Sequence, residues 1–366
     1  MQLQQLDVRV YTIPTDAPEA DGTLAWDATT LVLVRATAAD GVSGLGYTYA
    51  HPAAAAVIRH TLAEAVRGVP VMQVGQAWQR MVNAVRNLGR PGVAAHAISA
   101  VDAALWDLKA RVLGQPLFHL LNAHRDSVPL YGSGGFTTYD DARTRRQLQD
   151  WAAQGIPGVK IKIGAGWGTA ETEDCRRVAV ARQAIGPDVA LMVDANGGYT
   201  AKQAIRLGRR FAAEQGVTYF EEPVSSDQLA QLRLVREQTP LAVAAGEYGY
   251  DPWYFRDMLR AGAVDILQAD ATRCLGITGW LQAAHLAYAF DVPFSAHTAP
   301  ALHLHPGCAA PQLAHLEYFH DHVRIEKLFF DGVPAVQNGR LAPDPARPGL
   351  GLVLRETDVA RYRVEA

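Results

Sequence analysis

The 366-residue sequence predicts an α/β protein, a parallel (β/α) barrel preceded by an α+β region. Three observations carry that expectation. From about Ser127 onward, short apolar runs alternate with amphipathic helical patterns, the sequence form of a repeated βαβ unit. The strand ends fall near Gly132, Ile163, Asp194, Glu221, Gly246, Asp270, Ala296 and Glu317. Their spacing of roughly 20 to 32 residues is close to one eighth of a barrel of about 250 residues. Finally, three consecutive runs, 189–194, 217–221 and 241–247, each end in a carboxylate: Asp194, Glu221 and Glu247.

A chain of this length exceeds one core and divides into about two domains. The expected division is 1–125 and 126–330, with 331–366 leaving the barrel and returning to the first domain. A hydrophobic content of 49% and a charged content of 19% are those of an ordinary soluble globular protein. The formal net charge of −3, with no basic stripe, argues against nucleic acid as a partner. Cys175, Cys274 and Cys308 are odd in number and lack metal-ligand spacing, so buried, reduced thiols are expected. No run reaches the roughly 20 apolar residues of a membrane span. The first seven residues lack the basic and apolar segments of a signal peptide, and a cytoplasmic protein is expected.

In the first domain, 6–13 and 29–37 are strand-like, and Asp40-Gly41 turns the chain into a third strand, 44–49. Between the first two strands lies 14–27, polar, rich in turn formers and too long for a plain hairpin. A loop of that length in a compact domain is often a functional lid. Helical patterns follow at 53–67, 74–88 and most clearly 94–113. There Ile98, Val101, Leu105, Leu108 and Val112 form one stripe, ended by Gly114 and Pro116. Trp106 on this helix is expected in the core. Barrel helices are expected at 171–185, 201–215, 227–237, 252–260 and 278–290.

Barrel active sites lie at the C-terminal ends of the strands, so the residues placed there decide the chemistry. Asp194, Glu221 and Glu247 would put three carboxylates on one rim, a hard oxygen set suited to Mg²⁺. In the second strand, alternation puts Lys160 and Lys162 on one face, both pointing into the barrel mouth. Solvated lysines are the alternative, but a central parallel strand is covered on both faces. Two close lysines depress each other's pKa, which can leave a neutral amine able to accept a proton. The sixth strand ends in Asp270 and the seventh in His297, so Asp270 would fix the tautomer of His297 and raise its basicity.

Glu317, ending the eighth strand, is open to reading as a ligand, an acid, or a partner for an arginine such as Arg324. His303-x-His305 has the look of a metal pair, but it follows the seventh strand, whereas barrel amidohydrolases carry theirs on the first. Gly164-Ala-Gly166-Trp-Gly168 matches neither the dinucleotide fingerprint nor the P-loop and reads as a flexible loop.

Taken jointly, Lys160-x-Lys162, Asp194 with Asn196, Glu221-Glu222-Pro223, Gly246-Glu247, Asp270, His297 and Glu317 resemble the enolase superfamily, in particular its mandelate racemase subgroup. The resemblance covers nearly the whole chain. It implies a modified (β/α)8 TIM-type barrel with an N-terminal α+β capping domain completed by the C-terminal tail. It also implies Mg²⁺ held by Asp194, Glu221 and Glu247. Lys162 would act as acid/base on one face of the substrate, with Lys160 adjusting it and touching the carboxylate. His297, paired with Asp270, would serve the opposite face, and Glu317 would hydrogen-bond the substrate carboxylate.

The segment 14–27 corresponds to the loop that closes such sites, where Asp16, Glu19, Asp21 and Thr23 offer polar groups and Trp26 an apolar one. Asn196 joins Asp21 and Trp26 as an expected substrate contact. Cys274-Leu275-Gly276 departs from the Gly-Gly pair many relatives carry. The implied chemistry is removal of a proton α to a carboxylate with the charge stabilised by Mg²⁺, an arrangement for which this superfamily is itself the standard example. Loss of a β-hydroxyl from an aldonate or aldarate would then give a 2-keto-3-deoxy acid. Return of the proton would instead racemise or epimerise a 2-hydroxy acid. A non-catalytic barrel is the third reading. The partner is a small-molecule carboxylate, with no membrane contact, and relatives suggest a homo-oligomer, dimer or octamer.

Overall fold

Three antiparallel strands open the chain in the computed structural model, which describes residues 1–365: β1 (Leu3–Ala20), β2 (Ala25–Ala38) and β3 (Ser43–Tyr49). The first two are longer than their patterning predicts. The residues expected as a loop, 14–27, form the far end of the β1–β2 hairpin. A register shift between Pro14 and Glu19 takes up the turn-forming residues, and pairing resumes at Glu19↔Trp26 and Ala20↔Ala25. Pro18 lies in the interrupted stretch, where its missing N–H breaks no ladder bond. The polar, proline-bearing composition thus marks a bulge and not a loop.

The helix Val93–Val112 lies on β3 at backbone contact. A Cβ on Gly44 would fall 2.2 Å from Leu108 N, and one on Gly46 would fall 2.3 Å from Ala100 O, so glycine at both positions lets the helix seat directly on the strand. Ile98, Val101, Leu105 and Leu108 are buried as the stripe predicts, and Val112 is half-buried. Trp106 is half-buried and packs against the core of both layers at their seam, where its indole N–H donates to Thr278 Oγ1 at 2.9 Å.

Eight parallel strands form the closed barrel: β4 (Val128–Gly134), β5 (Gly158–Lys162), β6 (Ala190–Asp194), β7 (Val217–Glu221), β8 (Ala242–Ala245), β9 (Ile266–Ala269), β10 (Phe294–Ala296) and β11 (Leu313–Phe319). They follow one another in sequence order, and β11 pairs back onto β4. The helices Glu171–Ile185, Ala201–Gln215 and Pro252–Arg260 have the predicted bounds, while Leu229–Gln238 and Gly276–Ala289 are shifted by one or two residues. The helix Pro300–Ala309 is not visible from patterning, because it is buried along its whole length and so shows no polar face. The tail touches both layers. Arg340–Leu341 pairs with β4, and Arg363–Val364 pairs with β1. Among the described residues no helix is long and apolar enough to cross a membrane.

Candidate active site

Strand register brings the charged residues to one level. Lys162 stands opposite Asp194 across β5 and β6, and Asp194 stands opposite Glu221 across β6 and β7. Beyond β8 the chain bends through Gly246, at φ 137°, where a Cβ would meet Gln268 O at 2.0 Å. Only glycine passes there, and the bend carries Glu247 to the rim. Asp194, Glu221 and Glu247 are all buried, and one oxygen from each lies within 4.8 Å of the others. Three buried like charges repel unless cations or donors offset them. These all-oxygen donors fit a hard divalent cation, and no softer ligand interrupts the set.

The lysines lie against those carboxylates. Lys160 Nζ is 2.6 Å from Glu221 Oε1, 2.8 Å from Glu317 Oε1 and 3.5 Å from Asp194 Oδ2. Lys162 pairs with Asp194. Lys160 does lower the pKa of Lys162, as expected, but no neutral amine results. Burial pulls both down, but the surrounding carboxylates outweigh it and hold both above the usual lysine range. The carboxylates outnumber the ammonium groups at this level, which pairwise reasoning about the two lysines leaves out.

Across the mouth, His297 Nδ1 donates to Asp270 Oδ2 at 2.9 Å, and Nε2 lies 3.3 Å from Glu247 Oε2. Burial opposes protonation of the imidazole, yet the charges of Glu247 and Asp270 lift its pKa to about 9. Glu317 lies within β11, two residues before the strand's end at Phe319. Its Oε2 accepts the Thr298 N–H at 2.8 Å. Burial would raise its pKa, but Lys160 and His297 bring it down to about 2. Arg324 does not reach it; the guanidinium pairs with Asp321 and donates to Pro14 O.

The β1–β2 hairpin closes over this mouth. A Cβ on Gly22, at its tip, would fall 2.7 Å from Ile163 O and 2.8 Å from Ala195 O, so the tip rests on the ends of β5 and β6. Beneath it is a cavity of about 580 Å³ whose wall includes Asp21, Trp26, Lys162, Asn196, Glu247, Arg273 and His297. Of the expected substrate contacts, Asp21 spends Oδ1 on its own turn, accepting from Thr23 N at 2.6 Å and Leu24 N at 2.8 Å. Trp26 donates to Glu19 Oε2 at 2.9 Å and stands edge-on to Phe136. Lys160 and Glu317 are not in the cavity wall and lie among the carboxylates.

Several residues of the site escape sequence reasoning. Arg273 reaches both Glu247, at 3.3 Å, and Asp270, at 3.6 Å, from a turn with no periodicity to flag it. His322 stacks on Tyr49 with ring centroids 3.5 Å apart, a contact between cap and barrel. Gln268 Nε2 and Tyr219 OH donate to Glu221 Oε2 at 2.7 and 3.1 Å. These last two could have been found, because each sits two residues before a rim acid on the same strand face. His303 and His305 form no metal pair. His303 Nε2 accepts the Ala271 N–H, and His305 contacts Leu350 O. Cys274 and Cys308 are buried free thiols as expected, and Cys175 is half-buried.

With a closed parallel barrel, a covering α+β layer and this rim of acids and bases in place, the class is defined. Residues 143–358 match the enolase C-terminal domain-like family, and residues 7–122 match the mandelate racemase / muconate lactonizing enzyme N-terminal domain. The chain belongs to the mandelate racemase / muconate lactonizing enzyme family of the enolase superfamily. A mandelate racemase/muconate lactonizing enzyme-like protein from Rubrobacter xylanophilus superposes with a TM-score of 0.96 at 50% identity, covering 100% of both chains. The 3,6-anhydro-alpha-L-galactonate cycloisomerase of Streptomyces coelicolor is 32% identical over 99% of each chain. The L-talarate/galactarate dehydratase of Salmonella typhimurium is 31% identical over 89% of this chain and 81% of its own. That dehydratase, crystallised with Mg and L-lyxarohydroxamate, gives a TM-score of 0.89 at 27% identity, covering 100% of this chain and 93% of its own.

Proposed function

We propose that this chain is a Mg²⁺-dependent lyase that removes the proton α to the carboxylate of a sugar acid and expels the oxygen at the β-carbon. From an aldonate or aldarate the product is a 2-keto-3-deoxy acid. One observation carries the reading. Lys162, ending β5, and His297, just past β10, line the same cavity, one beside Asp194 and the other beside Glu247. Racemisation and dehydration both need two proton-handling groups, but the many polar side chains of the cavity suit a hydroxylated substrate.

The roles follow from position. When bound by Asp194, Glu221 and Glu247, Mg²⁺ supplies positive charge that stabilises the dianion developing on the substrate carboxylate. Lys160, behind the cavity wall, offsets the charge of Asp194, Glu221 and Glu317 and so acts on that carboxylate through the triad. Lys162 and His297 face the α- and β-carbons from opposite sides: one takes the α-proton and the other protonates the departing hydroxyl. Asp270 holds the imidazole by Nδ1–H, which leaves Nε2 toward the cavity. The hairpin excludes water while the charge exists.

A second reading is favoured by the full-length match to a cycloisomerase. If the β-oxygen belongs to a ring, the same two proton transfers open the ring and nothing departs, so the net change is isomerisation. One assay separates the outcomes. The Mg²⁺-loaded protein is incubated with aldonates, aldarates and anhydro acids, with 2-keto acid formation and solvent-deuterium exchange at the α-carbon followed together. Dehydration yields 2-keto acid from open-chain acids. Racemisation of a 2-hydroxy acid with no 2-keto acid from any substrate would overturn the proposal.

A further inference from the structure

Beside the reaction cavity lies a second one of about 570 Å³, and Asn196 and Tyr248 line both. Glu222 belongs to its wall; the residue is 1% exposed and its buried Oε1 has no hydrogen-bond partner. Asn196 Oδ1 is likewise buried and without a partner. Tyr254 OH is a third such atom. Buried polar atoms in native proteins are nearly always satisfied, and three wall residues with an unsatisfied one mark a place where a ligand supplies the missing partners. Asn196 Oδ1 accepts and the Tyr254 hydroxyl both donates and accepts, so that ligand carries groups able to do both, as hydroxyls are.

We propose that this cavity is a subsite for a neutral, hydroxyl-bearing sugar substituent carried by the acid substrate, an inference that rests on the acid-sugar reading above. The walls suit a sugar ring. The Trp167 indole is 68% exposed at the mouth, and Tyr254 stands further in. Aromatic faces of this kind pack on the C–H face of a ring while its hydroxyls reach polar atoms at the edge. Asp227, exposed at the rim, offers one further acceptor. A free cation suits the cavity less well, because, of its three wall acids, Glu222, Asp227 and Asp251, the last is already paired with Arg90 at 2.8 Å. A metal ion is also disfavoured, since Glu222 belongs to neither of the carboxylate and histidine clusters close enough to ligate one among the described residues.

Continuity with the reaction cavity comes from the hairpin tip. Thr23 lines the second cavity and its neighbour Leu24 lines the first, so one cover closes both. A substituent on the far end of a bound sugar acid would therefore enter this space without leaving the covered region.

The test is calorimetric titration of the Mg²⁺-loaded full-length protein with gluconate and with maltobionate, cellobionate and lactobionate, its 4-O-glycosyl derivatives. At least one glycosylated acid is expected to bind about tenfold tighter than gluconate or better. The gain should vanish in Trp167→Ala and in Asp227→Ala, whose side chains are exposed, while gluconate binds as before. No gain for any glycosylated acid, or a gain untouched by both substitutions, overturns the subsite. Choline binding that is lost on the same substitutions would overturn it in favour of a cation site. Turnover of gluconate or another simple acid without a glycosyl gain would remove the subsite and leave the dehydratase standing. A glycosyl gain without 2-keto acid from any substrate would do the reverse.

Discussion

His297 Nδ1 lies 2.9 Å from Asp270 Oδ2, and the two residues directly follow neighbouring strands, β10 and β9. The bond fixes which ring nitrogen carries the proton and which faces the cavity. Asp270→Asn keeps the shape but can present its amide to Nδ1, which favours the wrong tautomer. Its kcat is expected to fall by about 10²–10⁴ with KM little changed. Comparable loss of kcat/KM through KM alone would assign Asp270 to substrate binding instead.

Lys162→Ala and His297→Asn each remove one of the two groups proposed to handle protons. Either change is expected to lower turnover by about 10²–10⁴ while Mg²⁺ still binds, read by calorimetry. Their difference is informative. The variant that keeps the α-proton base should still exchange the α-hydrogen with solvent deuterium, and the other should not. Full activity in either variant would end the two-base assignment.

Much of this site was legible because parallel-strand ends are a regular grid. Once Asp194 was read as a strand end, Glu221 and Glu247 followed from spacing, and the Asp270–His297 contact followed from adjacency. Charge balance was not legible. The lysines could be placed on one face, but their protonation depends on Glu317 and Glu221, which come from other strands and meet Lys160 only in the closed barrel. The hairpin is not legible, for a local reason. Pro14 and Pro18 look like loop residues unless one knows that the register slips between Pro14 and Glu19. Arg273 and the Tyr49–His322 stack depend on tertiary contact and leave no periodic trace.

Glu221 is the carboxylate most heavily supported from behind, accepting from Gln268 Nε2 at 2.7 Å and from Tyr219 OH at 3.1 Å. Asp194→Asn removes a charge from the triad itself and is expected to weaken Mg²⁺ binding by at least about 100-fold. Gln268→Leu leaves every triad carboxylate in place and frees Glu221 to turn. Its expected cost is about 10- to 100-fold in Mg²⁺ affinity, the usual effect of losing an orienting partner. An unchanged dissociation constant for the Gln268 variant would show that Tyr219 and Lys160 suffice to fix the carboxylate.

The last prediction concerns the hairpin that covers the site. Glu19 is fully buried there, accepting from the Trp26 indole at 2.9 Å and from Tyr139 OH at 3.3 Å. Burial, followed by the nearby Asp321, raises its pKa to about 8 against the lowering effect of the Trp26 bond. The folded protein therefore holds this proton more tightly than the unfolded chain, whose glutamate ionises near its ordinary value of 4.5. Below that value neither state is ionised and nothing is lost. As pH rises from there to about 8 the unfolded chain binds fewer protons, so stability falls, and above about 8 the loss is complete. Glu19→Gln keeps the shape and the Trp26 bond but cannot ionise. It is expected to melt like the parent protein near pH 4 and to be more stable at pH 9, by on the order of 2 kcal/mol. Melting temperatures that run parallel for the two proteins across this range would mean that Glu19 carries no such charge burden and that the hairpin's closure is insensitive to it.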